Sequence, residues 1–508
     1  MMELTGDALT LEDVVSVARS GTHVTLSAAA RATMQRSAEV VAQLAASGQP
    51  AYGVSTGFGS LANVRIPLER REDLQRALVR SHAAGMGPPV EEEVVRAMML
   101  LRTRTLSMGY SGARPLVADT ILALLNAGIT PRVPEHGSLG ASGDLAPLSH
   151  CALALLGEGR VSVDEREAEA GDALRNAGIE ALTLTAKEGL ALINGTDGSL
   201  GMLLLAIADL QGLLRVADVT AAMSVEALLG TNRAFEPDLV GLRPQAGQAD
   251  SAANLLRLLD DSAIVASHRY NDPRVQDAYS LRCAPQVTGA ARDTLAHCTR
   301  VADAELHSAI DNPMVMPDGR VESCGNFHGA PVGFACDFLA IAAAEVGSIA
   351  ERRTDRLLDP SRSNGLPPFL APDAGVNSGL MIGQYTQAAM VADNRRLSSP
   401  ASVDSLPTSA MQEDHVSMSW GAARKLRLVV ANLRRILAVE LTAAARGLDL
   451  RAPLRPAPAT GAALAAVRER VPGVGEDRFL SPELAAAEGL IASGVLLEKV
   501  EAVVGALA

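Results

Sequence analysis

The sequence predicts an all-α protein built around an elongated bundle of long helices. Hydrophobic residues make up 48% of the 508-residue chain, but aromatic residues make up only 3%. Alanine, leucine, valine and methionine must therefore fill the core, and this composition favours helices over strands. Segments that are apolar around most of their circumference predict the bundle helices at residues 198–229, 286–310, 331–358, 379–397 and 414–447.

Shorter helices are predicted in the N-terminal portion, where apolar residues recur with a helical period. They cover residues 11–18, 27–44, 71–84, 91–107, 116–127 and 144–156. A glycine-punctuated loop with Tyr52 at its head occupies residues 52–61. Residues 160–185 are acidic and mixed, and we expect a short hairpin or a surface excursion there.

After residue 451 the chain becomes rich in proline and alanine, and two short amphipathic helices are predicted between residues 458 and 507. No low-complexity linker and no fixed-period repeat divides the sequence. We expect an N-terminal portion over residues 1–200 that carries a reactive loop, a central bundle over 201–450, and C-terminal helices over 451–508.

Charge and cysteine content restrict the class of protein. A formal net charge of −13 argues against a nucleic-acid partner, because no basic surface would neutralise phosphates. Five cysteines without a CxxC pair indicate free thiols in a reducing cytoplasm, and the nine histidines lack metal-ligand spacing. No signal-peptide pattern is present, and the apolar run at residues 201–209 reaches an aspartate before it could span a bilayer. A soluble cytoplasmic protein without metal, membrane or nucleic-acid partners is expected.

The most informative stretch is Gly-Ser-Leu-Gly-Ala-Ser-Gly-Asp-Leu-Ala-Pro-Leu-Ser-His at residues 137–150. Its glycine spacing, G-x-x-G-x-x-G, differs from the dinucleotide-binding fingerprint. The glycine that follows Ser142 is one place too early for the nucleophile elbow of a hydrolase. Judged by its glycines alone, the stretch would be a tight turn into a helix capped by Asp144.

The same residues permit a reaction of the backbone itself. If a bend brings the amide nitrogen of Gly143 onto the carbonyl carbon of Ala141, a five-membered ring can close with loss of water. Loss of the Ser142 hydroxyl then leaves an exocyclic methylidene, an electrophile that no ordinary side chain offers. The reaction requires small flanking residues, a serine and an unshielded glycine nitrogen, and the Ala-Ser-Gly sequence meets all three requirements.

Residues 137–150 resemble the signature of the aromatic amino acid ammonia-lyases and aminomutases, which form 4-methylidene-imidazol-5-one (MIO) from an internal Ala-Ser-Gly. The resemblance extends over nearly the whole chain through several separate motifs. It implies the architecture of that family and of the wider fumarase–aspartase-like superfamily. It also implies that Ala141, Ser142 and Gly143 form the MIO, that no external cofactor is needed, and that a homotetramer shares active-site residues between neighbouring chains.

Further motifs would supply the groups that handle protons and the substrate carboxylate. Tyr52 heads a Tyr-Gly-x-x-Thr-Gly-Phe-Gly loop, and the resemblance implies that its hydroxyl is catalytic. Without that resemblance, an aromatic side chain that fills space in a glycine-rich loop would be the simpler interpretation. Tyr279 would remove the β-proton, and Arg282 would lower the pKa of that tyrosine. The guanidinium fork of Arg282 would also hold the substrate carboxylate, the alternative being a weak surface ion pair. Gln276 would line the site.

Two more residues are candidate contacts for the substrate. Asn194, in Leu-Ile-Asn-Gly-Thr, matches the family residue that binds the amino-carboxylate end of the substrate and the MIO oxygen. An asparagine before glycine is also a common turn or helix cap, which is the simpler alternative. Phe327, in Gly-Asn-Phe-His-Gly, would form a pocket wall or belong to the core.

The ring-binding positions favour histidine as the substrate. His82, which follows Ser81, matches the residue that contacts imidazole in the histidine-specific members, whereas other members carry Phe-Leu or His-Leu there. Met411-Gln412-Glu413 stands where enzymes acting on carbocyclic rings usually have Asn-Gln-Asp. An imidazole N–H can pair with a carboxylate, whereas a benzene ring would desolvate it without compensation. The alternative for Glu413 is a position in the first turn of the helix at 414–447, favoured by the helix dipole.

The expected activity is the elimination of ammonia from L-histidine to give trans-urocanate, the first step of histidine degradation. A lyase or 2,3-aminomutase acting on tyrosine or phenylalanine is the alternative within the family. A non-catalytic helical assembly protein is the alternative from another class, and the intact Ala-Ser-Gly sequence and both tyrosines argue against it.

Overall fold

The computed structural model describes residues 1–47, 51–270 and 272–508, and it confirms the predicted, mostly helical fold class. The strands are only two to four residues long. Buried side chains are mainly alanine, leucine, valine, isoleucine and methionine, as the low aromatic content requires.

Within the described residues the N-terminal helices are α1 (Leu11–Ser20), α2 (Ala28–Ala46), α3 (Arg71–His82), α4 (Glu92–Ser107), α5 (Pro115–Asn126), α6 (Leu145–Leu155), α7 (Ala170–Ala177), α8 (Glu188–Ile193) and α9 (Asp197–Ala227). They are followed by α10 (Pro237–Val240), α11 (Ala246–Leu258), α12 (Ala263–Ser267), α13 (Tyr279–Arg282), α14 (Ala284–Leu306), α15 (Ala330–Leu358), α16 (Met381–Leu397), α17 (Ser419–Asp449), α18 (Pro458–Arg468), α19 (Leu480–Ala492) and α20 (Val495–Val504).

The strands are β1 (Met2–Leu4), β2 (Val24–Leu26), β3 (Met86–Pro89), β4 (Thr130–Pro131), β5 (Pro134–His136), β6 (Arg160–Val163), β7 (Arg166–Glu169), β8 (Met314–Val315) and β9 (Val321–Glu322). β1 pairs with β2 in parallel, whereas β3 with β5, β4 with β6, β6 with β7 and β8 with β9 are antiparallel. The hairpin expected after residue 160 is therefore confirmed. Asp164 and Glu165 at its tip both have positive φ angles, as a two-residue hairpin turn requires.

The chain folds into two compact units, each assembled from separated segments of the sequence. The first unit comprises Met1–Leu205, Thr299–Asp337 and Pro400–Arg424, and the second comprises Ala206–Cys298, Phe338–Ser399 and Lys425–Ala508. Four of the boundaries fall inside the long helices α9, α14, α15 and α17. The division into three consecutive parts at residues 200 and 450 stays a prediction.

Three helices of the first unit, α3, α6 and α8, pack against one another. α3 ends at His82, α6 follows the reactive loop, and α8 ends immediately before Asn194. The packing of these three helices therefore holds His82, the reactive loop and Asn194 close to one another.

The predicted bundle helices are present, but one boundary differs in a way that affects the site. α17 begins at Ser419 instead of residue 414, so Glu413 does not lie in its first turn. Met418 has a left-handed backbone (φ +55°), and its N–H donates to the Leu139 carbonyl at 2.8 Å. That tertiary contact holds the chain out of the helix until Ser419.

The C-terminal region contains three helices, α18, α19 and α20, rather than the two that were predicted. Gly494 separates α19 from α20 with a left-handed backbone (φ +77°), and the two helices are bent by 58°. A glycine tolerates this conformation without a steric penalty, so the sequence permits a break that the apolar pattern alone does not reveal.

In the second unit, a buried carboxylate links segments of three long helices. Glu440 of α17 accepts hydrogen bonds from Thr220 (2.8 Å) and Ser224 (2.9 Å) of α9, and from the Arg353 guanidinium of α15 (3.0 Å). Arg353 and Glu440 are almost completely buried. A buried ion pair tolerates burial only when its remaining hydrogen-bonding groups are satisfied, and the two hydroxyls provide that here.

Two helical segments, Glu188–Ala227 and Ala330–Leu358, are long and apolar enough to cross a membrane by length and composition, and the bent pair α19 and α20 would count as a third. The apolar stretches of the two segments are 72% and 61% buried inside the protein. Their burial supports the predicted role as core helices of a bundle.

Candidate active site

A cavity of about 490 Å³ in the first unit brings four of the predicted site residues together. Tyr52, His82, Ser142 and Glu413 all contribute to its wall. The rest of the wall is mainly apolar and includes Leu74, Leu78, Leu145, Leu190 and Ile193. Such a pocket, mostly apolar with a few polar groups, is typical of a small-molecule site.

The reactive loop is pressed closely against a neighbouring segment. Gly143 has a left-handed backbone (φ +75°), and a methyl group there would overlap the carbonyl of Gly195. The N–H of Asp144 donates to that same carbonyl at 2.7 Å. Glycine is therefore required at position 143 by both its backbone angle and the close approach of Gly195.

The side chain of Asp144 does not cap α6, contrary to the prediction. Asp144 occupies the N-cap position, but its carboxylate makes no capping hydrogen bond. Instead it accepts from the Ser138 hydroxyl (2.9 Å), the Ser199 hydroxyl (2.9 Å) and the Ser199 N–H (2.8 Å). Complete burial raises the pKa of Asp144 to about 6, and the nearby charge of Asp197 acts in the same direction.

The side chain of Asn194 lies against the reactive serine. The Ser142 hydroxyl donates to Asn194 Oδ1 at 2.8 Å. Asn194 Nδ2 donates to the Asn312 carbonyl at 2.8 Å and to Asp311 Oδ1 at 3.2 Å. Asn194 is 1% exposed and occupies the C-cap position of α8, so the helix-cap alternative holds for its backbone. Its side chain contacts Ser142 as well, and its role toward the substrate and the MIO stays a prediction.

Tyr52 reaches the cavity from the glycine loop. Its hydroxyl accepts a hydrogen bond from the Gly59 N–H at 3.2 Å, and its ring meets Phe58 edge-on with 6.2 Å between centroids. Burial raises the pKa of Tyr52, and the negative charge of Glu413 raises it further, although the Gly59 hydrogen bond opposes both effects. In this form of the protein the Tyr52 hydroxyl therefore keeps its proton at neutral pH.

His82 stands at the last position of α3, with its ring in the cavity wall. Burial lowers the pKa of His82, against smaller opposing effects of the Leu78 carbonyl and the Glu413 charge. The Ser81 hydroxyl donates to the Leu78 carbonyl at 3.1 Å and lies 3.0 Å from His82 Nδ1. The lowered pKa keeps the imidazole neutral near pH 7.

Glu413 is held in the cavity wall by a short bridge rather than by a helix. Its backbone pairs with Thr408, whose N–H donates to the Glu413 carbonyl at 2.9 Å. The Thr408 hydroxyl also donates to Glu413 Oε2 at 2.7 Å. The helix-dipole explanation of this glutamate is therefore wrong, because α17 begins six residues later, at Ser419.

Three predicted site residues belong to the second unit. Tyr279 begins α13 and is 70% exposed, with the Arg282 guanidinium 4.7 Å from its ring centroid. Arg282 Nε donates to the Asp277 carbonyl at 3.0 Å. Gln276 lines a separate polar cavity of about 680 Å³ in that unit. Tyr279 and Arg282 are thus adjacent, as their proposed roles require.

Phe327 lies in the first unit, half-buried in the turn that precedes α15. It is not one of the described residues lining the cavity. Its assignment as a pocket wall stays a prediction.

Sequence reasoning missed the buried polar residues behind the reactive loop. Lys187 is fully buried and its ammonium lies 2.8 Å from Asp311 Oδ2. Ser199 binds Asp144, as described above. The partners in these contacts are far apart in sequence, so the sequence does not show that they meet. The only signal it offered was a charged residue within or beside an apolar segment. Among the described residues, no group of three or more His, Cys, Asp or Glu side chains is arranged to hold a metal ion.

Residues 9–469 match the family model described as aromatic amino acid lyase, and the chain belongs to that family. It is therefore a carbon–nitrogen lyase, and the mostly helical fold and the small-molecule cavity agree with that class of enzyme.

The chain is similar over its whole length to proteins named histidine ammonia-lyase. It is 60% identical to those of Streptomyces avermitilis and Streptomyces griseus, with 98% of each chain covered. Among solved structures, the histidine ammonia-lyase of Trypanosoma cruzi is 40% identical, with a TM-score of 0.91 over 99% of this chain and 95% of that one. A tyrosine aminomutase of Streptomyces globisporus is 38% identical, with a TM-score of 0.94 over the full length of both.

Proposed function

We propose that this enzyme eliminates ammonia from L-histidine to give trans-urocanate. The observation that carries the proposal is the placement of a carboxylate, Glu413, and a neutral imidazole, His82, in the wall of the cavity that contains Ser142. Histidine has the ring N–H groups that such a wall can bind. Whole-length similarity to relatives named histidine ammonia-lyase supports the same substrate.

The proposal includes conversion of Ala141, Ser142 and Gly143 into MIO, and the loop geometry supports it. Gly143 has a left-handed backbone, and the Gly195 carbonyl occupies the space that a Cβ at residue 143 would need, so the turn requires the glycine that ring closure also needs. In the closure a bond forms between the Gly143 nitrogen and the Ala141 carbonyl carbon, whose oxygen leaves as water with the amide hydrogens of Ser142 and Gly143. The Ser142 hydroxyl and α-hydrogen leave as a second water, and the reaction is redox-neutral. Once formed, the MIO supplies the electrophile that activates the substrate for loss of ammonia.

The ring end of the substrate is recognised by the two polar groups of the wall. The Thr408 hydroxyl donates a hydrogen bond to Glu413 Oε2 and fixes the orientation of the carboxylate. The carboxylate then accepts a second hydrogen bond from an N–H of the substrate ring. Hydrogen bonds to a charged acceptor are stronger than neutral ones. A carbocyclic ring at this position would leave the carboxylate desolvated and unpaired, which opposes binding of phenylalanine.

Proton handling is divided between the two tyrosines. Tyr52 keeps its proton because its pKa is raised, so it acts as a hydroxyl donor to the substrate. Tyr279 removes the β-proton, and the adjacent Arg282 guanidinium binds the substrate carboxylate. We infer that the cytoplasmic enzyme is a homotetramer, in which residues from neighbouring chains complete each site.

A 2,3-aminomutase is the second candidate, because the fold matches that of a tyrosine aminomutase with a TM-score of 0.94. An aminomutase would return the amino group to the β-carbon instead of releasing it. Ammonia and an unsaturated acid would then not accumulate as the main products. Glu413 disfavours an aminomutase acting on phenylalanine, because a benzene ring offers the carboxylate no hydrogen-bond donor. A tyrosine hydroxyl can donate to a carboxylate, so the products formed from tyrosine separate a tyrosine aminomutase from the proposed lyase.

The test is an ultraviolet assay of the purified enzyme with L-histidine, L-tyrosine and L-phenylalanine in separate reactions, with ammonia measured in parallel. We expect urocanate and an equal amount of ammonia from histidine alone. A cinnamate-type product would overturn the substrate assignment, and a β-amino acid without ammonia would identify an aminomutase. The Ser142→Ala variant should fold but lose nearly all turnover, and full activity in that variant would overturn the MIO.

A further inference from the structure

Behind the reactive loop lies a buried ion pair, Lys187 and Asp311, whose two residues are not among those that line the cavity. The Lys187 ammonium donates to Asp311 Oδ2 at 2.8 Å and to the Ser111 carbonyl at 2.9 Å. The side chains of Lys187 and Asp311 are 0% and 1% exposed. Lys187 also has a left-handed backbone (φ +67°), an unfavourable conformation for a residue with a side chain. Replacing a buried ion pair with apolar residues is often neutral or stabilising, so this arrangement suggests a role beyond stability.

The second oxygen of Asp311 acts on Asn194. Asp311 Oδ1 accepts from Asn194 Nδ2 at 3.2 Å and from the Asn312 N–H at 2.7 Å. Asn194 Nδ2 donates as well to the Asn312 carbonyl at 2.8 Å. The Asp311 carboxylate and the Asn312 carbonyl can only accept hydrogen bonds. The end of the Asn194 amide that faces them must therefore be the NH₂ group. The amide oxygen must then face the other way, and it accepts the Ser142 hydroxyl proton at 2.8 Å.

We propose that Asp311, held in place by Lys187, is a positioning residue for the closure of the Ala141–Ser142–Gly143 ring. Asp311 orients the Asn194 amide with its oxygen toward Ser142, and the amide holds the Ser142 hydroxyl in one orientation while the loop closes. The inference rests on the proposed function, because it requires that these three residues lose two waters. Its subject is maturation of the protein, which precedes any turnover of substrate.

The alternative is a purely structural role, in which the ion pair only holds together the segments around residues 111, 187 and 311. Substituting one partner alone would leave an unpaired buried charge and disturb the fold whichever role applies. The informative variants therefore remove both charges and differ only in the oxygen that faces Asn194. Lys187→Met/Asp311→Asn keeps an amide oxygen at that point, and Lys187→Met/Asp311→Leu replaces it with a carbon of similar volume.

The measurement is the mass of the peptide containing residues 141–143, sampled over time during cell-free synthesis of the wild type and both double variants. Circular dichroism and size-exclusion chromatography check that each is folded. We expect the Asn variant to lose two waters at nearly the wild-type rate and the Leu variant to do so at least tenfold more slowly. Turnover per modified site should be similar in the two variants, because the defect lies in maturation. If the Leu variant does not fold, Lys187→Met/Asp311→Val replaces it, since valine also lacks the oxygen.

Equal rates of water loss in both double variants, whether fast or slow, would overturn the role of the Asp311 oxygen. A Leu variant that is fully modified but turns over poorly would overturn it too, since the defect would then lie in catalysis. A wild-type peptide that retains both waters would overturn the proposed function and this inference with it. The mass of the wild-type peptide therefore distinguishes failure of the proposed function from failure of the inference about Asp311 alone.

Discussion

Only a hydrogen atom fits as the side chain of Gly143, because the Gly195 carbonyl occupies the space that a Cβ would need. At this scale the reactive serine is unremarkable as a nucleophile, since its hydroxyl is bound by a neutral amide and not by a general base. Its reactivity comes from the backbone around it.

Gly143→Ala is expected to yield a folded protein whose residues 141–143 keep both waters. The methyl group would meet the Gly195 carbonyl and push the loop away from the geometry that closes the ring. Mass spectrometry of the 141–143 peptide and the urocanate assay would check this.

Gly128→Ala is the matched control, because Gly128 has a similar backbone (φ +69°) with nothing within 4 Å of the added carbon. That variant should lose about 1 kcal/mol of stability from the left-handed backbone while keeping its activity. Full modification of the Gly143 variant would show that the contact with Gly195 is not needed for closure.

Glu413→Gln is expected to lower kcat/KM for L-histidine by about tenfold to a hundredfold, since hydrogen bonds to charged groups contribute about 1.5–3 kcal/mol. The glutamine keeps the shape of the side chain and can still accept from Thr408, so the bridge at residues 408–413 is retained. Steady-state kinetics checks the effect, with Glu180→Gln at an exposed position as the control. Unchanged kinetics would remove Glu413 from ring recognition.

Among the elements, α3 matters because it carries His82 to the cavity wall at its last residue. The helix, the glycine loop and the bridge at residues 408–413 each contribute one of the predicted wall residues, and their separation in sequence explains why no single motif describes the pocket. The burial that places the His82 ring in the wall also lowers its pKa, so position and protonation state follow from the same packing.

The folded state should lose stability in acid partly through His82. Its pKa in the folded protein lies below the unfolded value of 6.5. The unfolded chain therefore binds more protons as the pH falls below about 6.5, and the folded state becomes less favourable until its own pKa is passed. The fall in the thermal unfolding midpoint between pH 7.5 and pH 5 should be smaller in His82→Asn than in the wild type.

His23→Asn, which alters an exposed imidazole, is the control for that comparison. An acid sensitivity identical in the wild type and His82→Asn would mean that burial of the His82 ring does not shift its titration.

The elements with a strong local pattern could be predicted from the sequence, and those set by distant contacts could not. The bundle helices and the hairpin at residues 160–169 follow from periodicity and turn residues. The start of α17 was misplaced because Met418 is held outside the helix by Leu139, which is far away in sequence. Asp144 fits the local pattern of a cap, but its carboxylate binds Ser199, 55 residues later.

The candidate site divides in the same way. Resemblance placed Tyr52, His82, Ser142, Asn194 and Glu413, and the structure brings them together in one unit. The Lys187–Asp311 pair, separated by 124 residues, could not be predicted because no local rule pairs two buried charges.

At the scale of the whole molecule, the question is how Tyr279 and Arg282 come to act with the reactive loop. The two residues belong to the second unit, whereas Ser142, His82 and Glu413 belong to the first. Tyr279 is exposed and therefore accessible to another copy of the chain. A symmetric homo-oligomer repeats any such contact at every site, so one arrangement would complete all sites at once.

Mixed oligomers would decide whether the sites combine residues from different chains. Ser142→Ala and Tyr279→Phe should each be nearly inactive, because one lacks the ring precursor and the other the base. If the two residues act from different chains, unfolding and refolding the variants together gives some sites with an intact Ser142 from one chain and an intact Tyr279 from another. Urocanate formation should then reappear in the mixture but not in either variant refolded alone. If each site is built within one chain, no combination of these two variants contains an intact site, and the mixture would stay inactive despite forming oligomers of normal size.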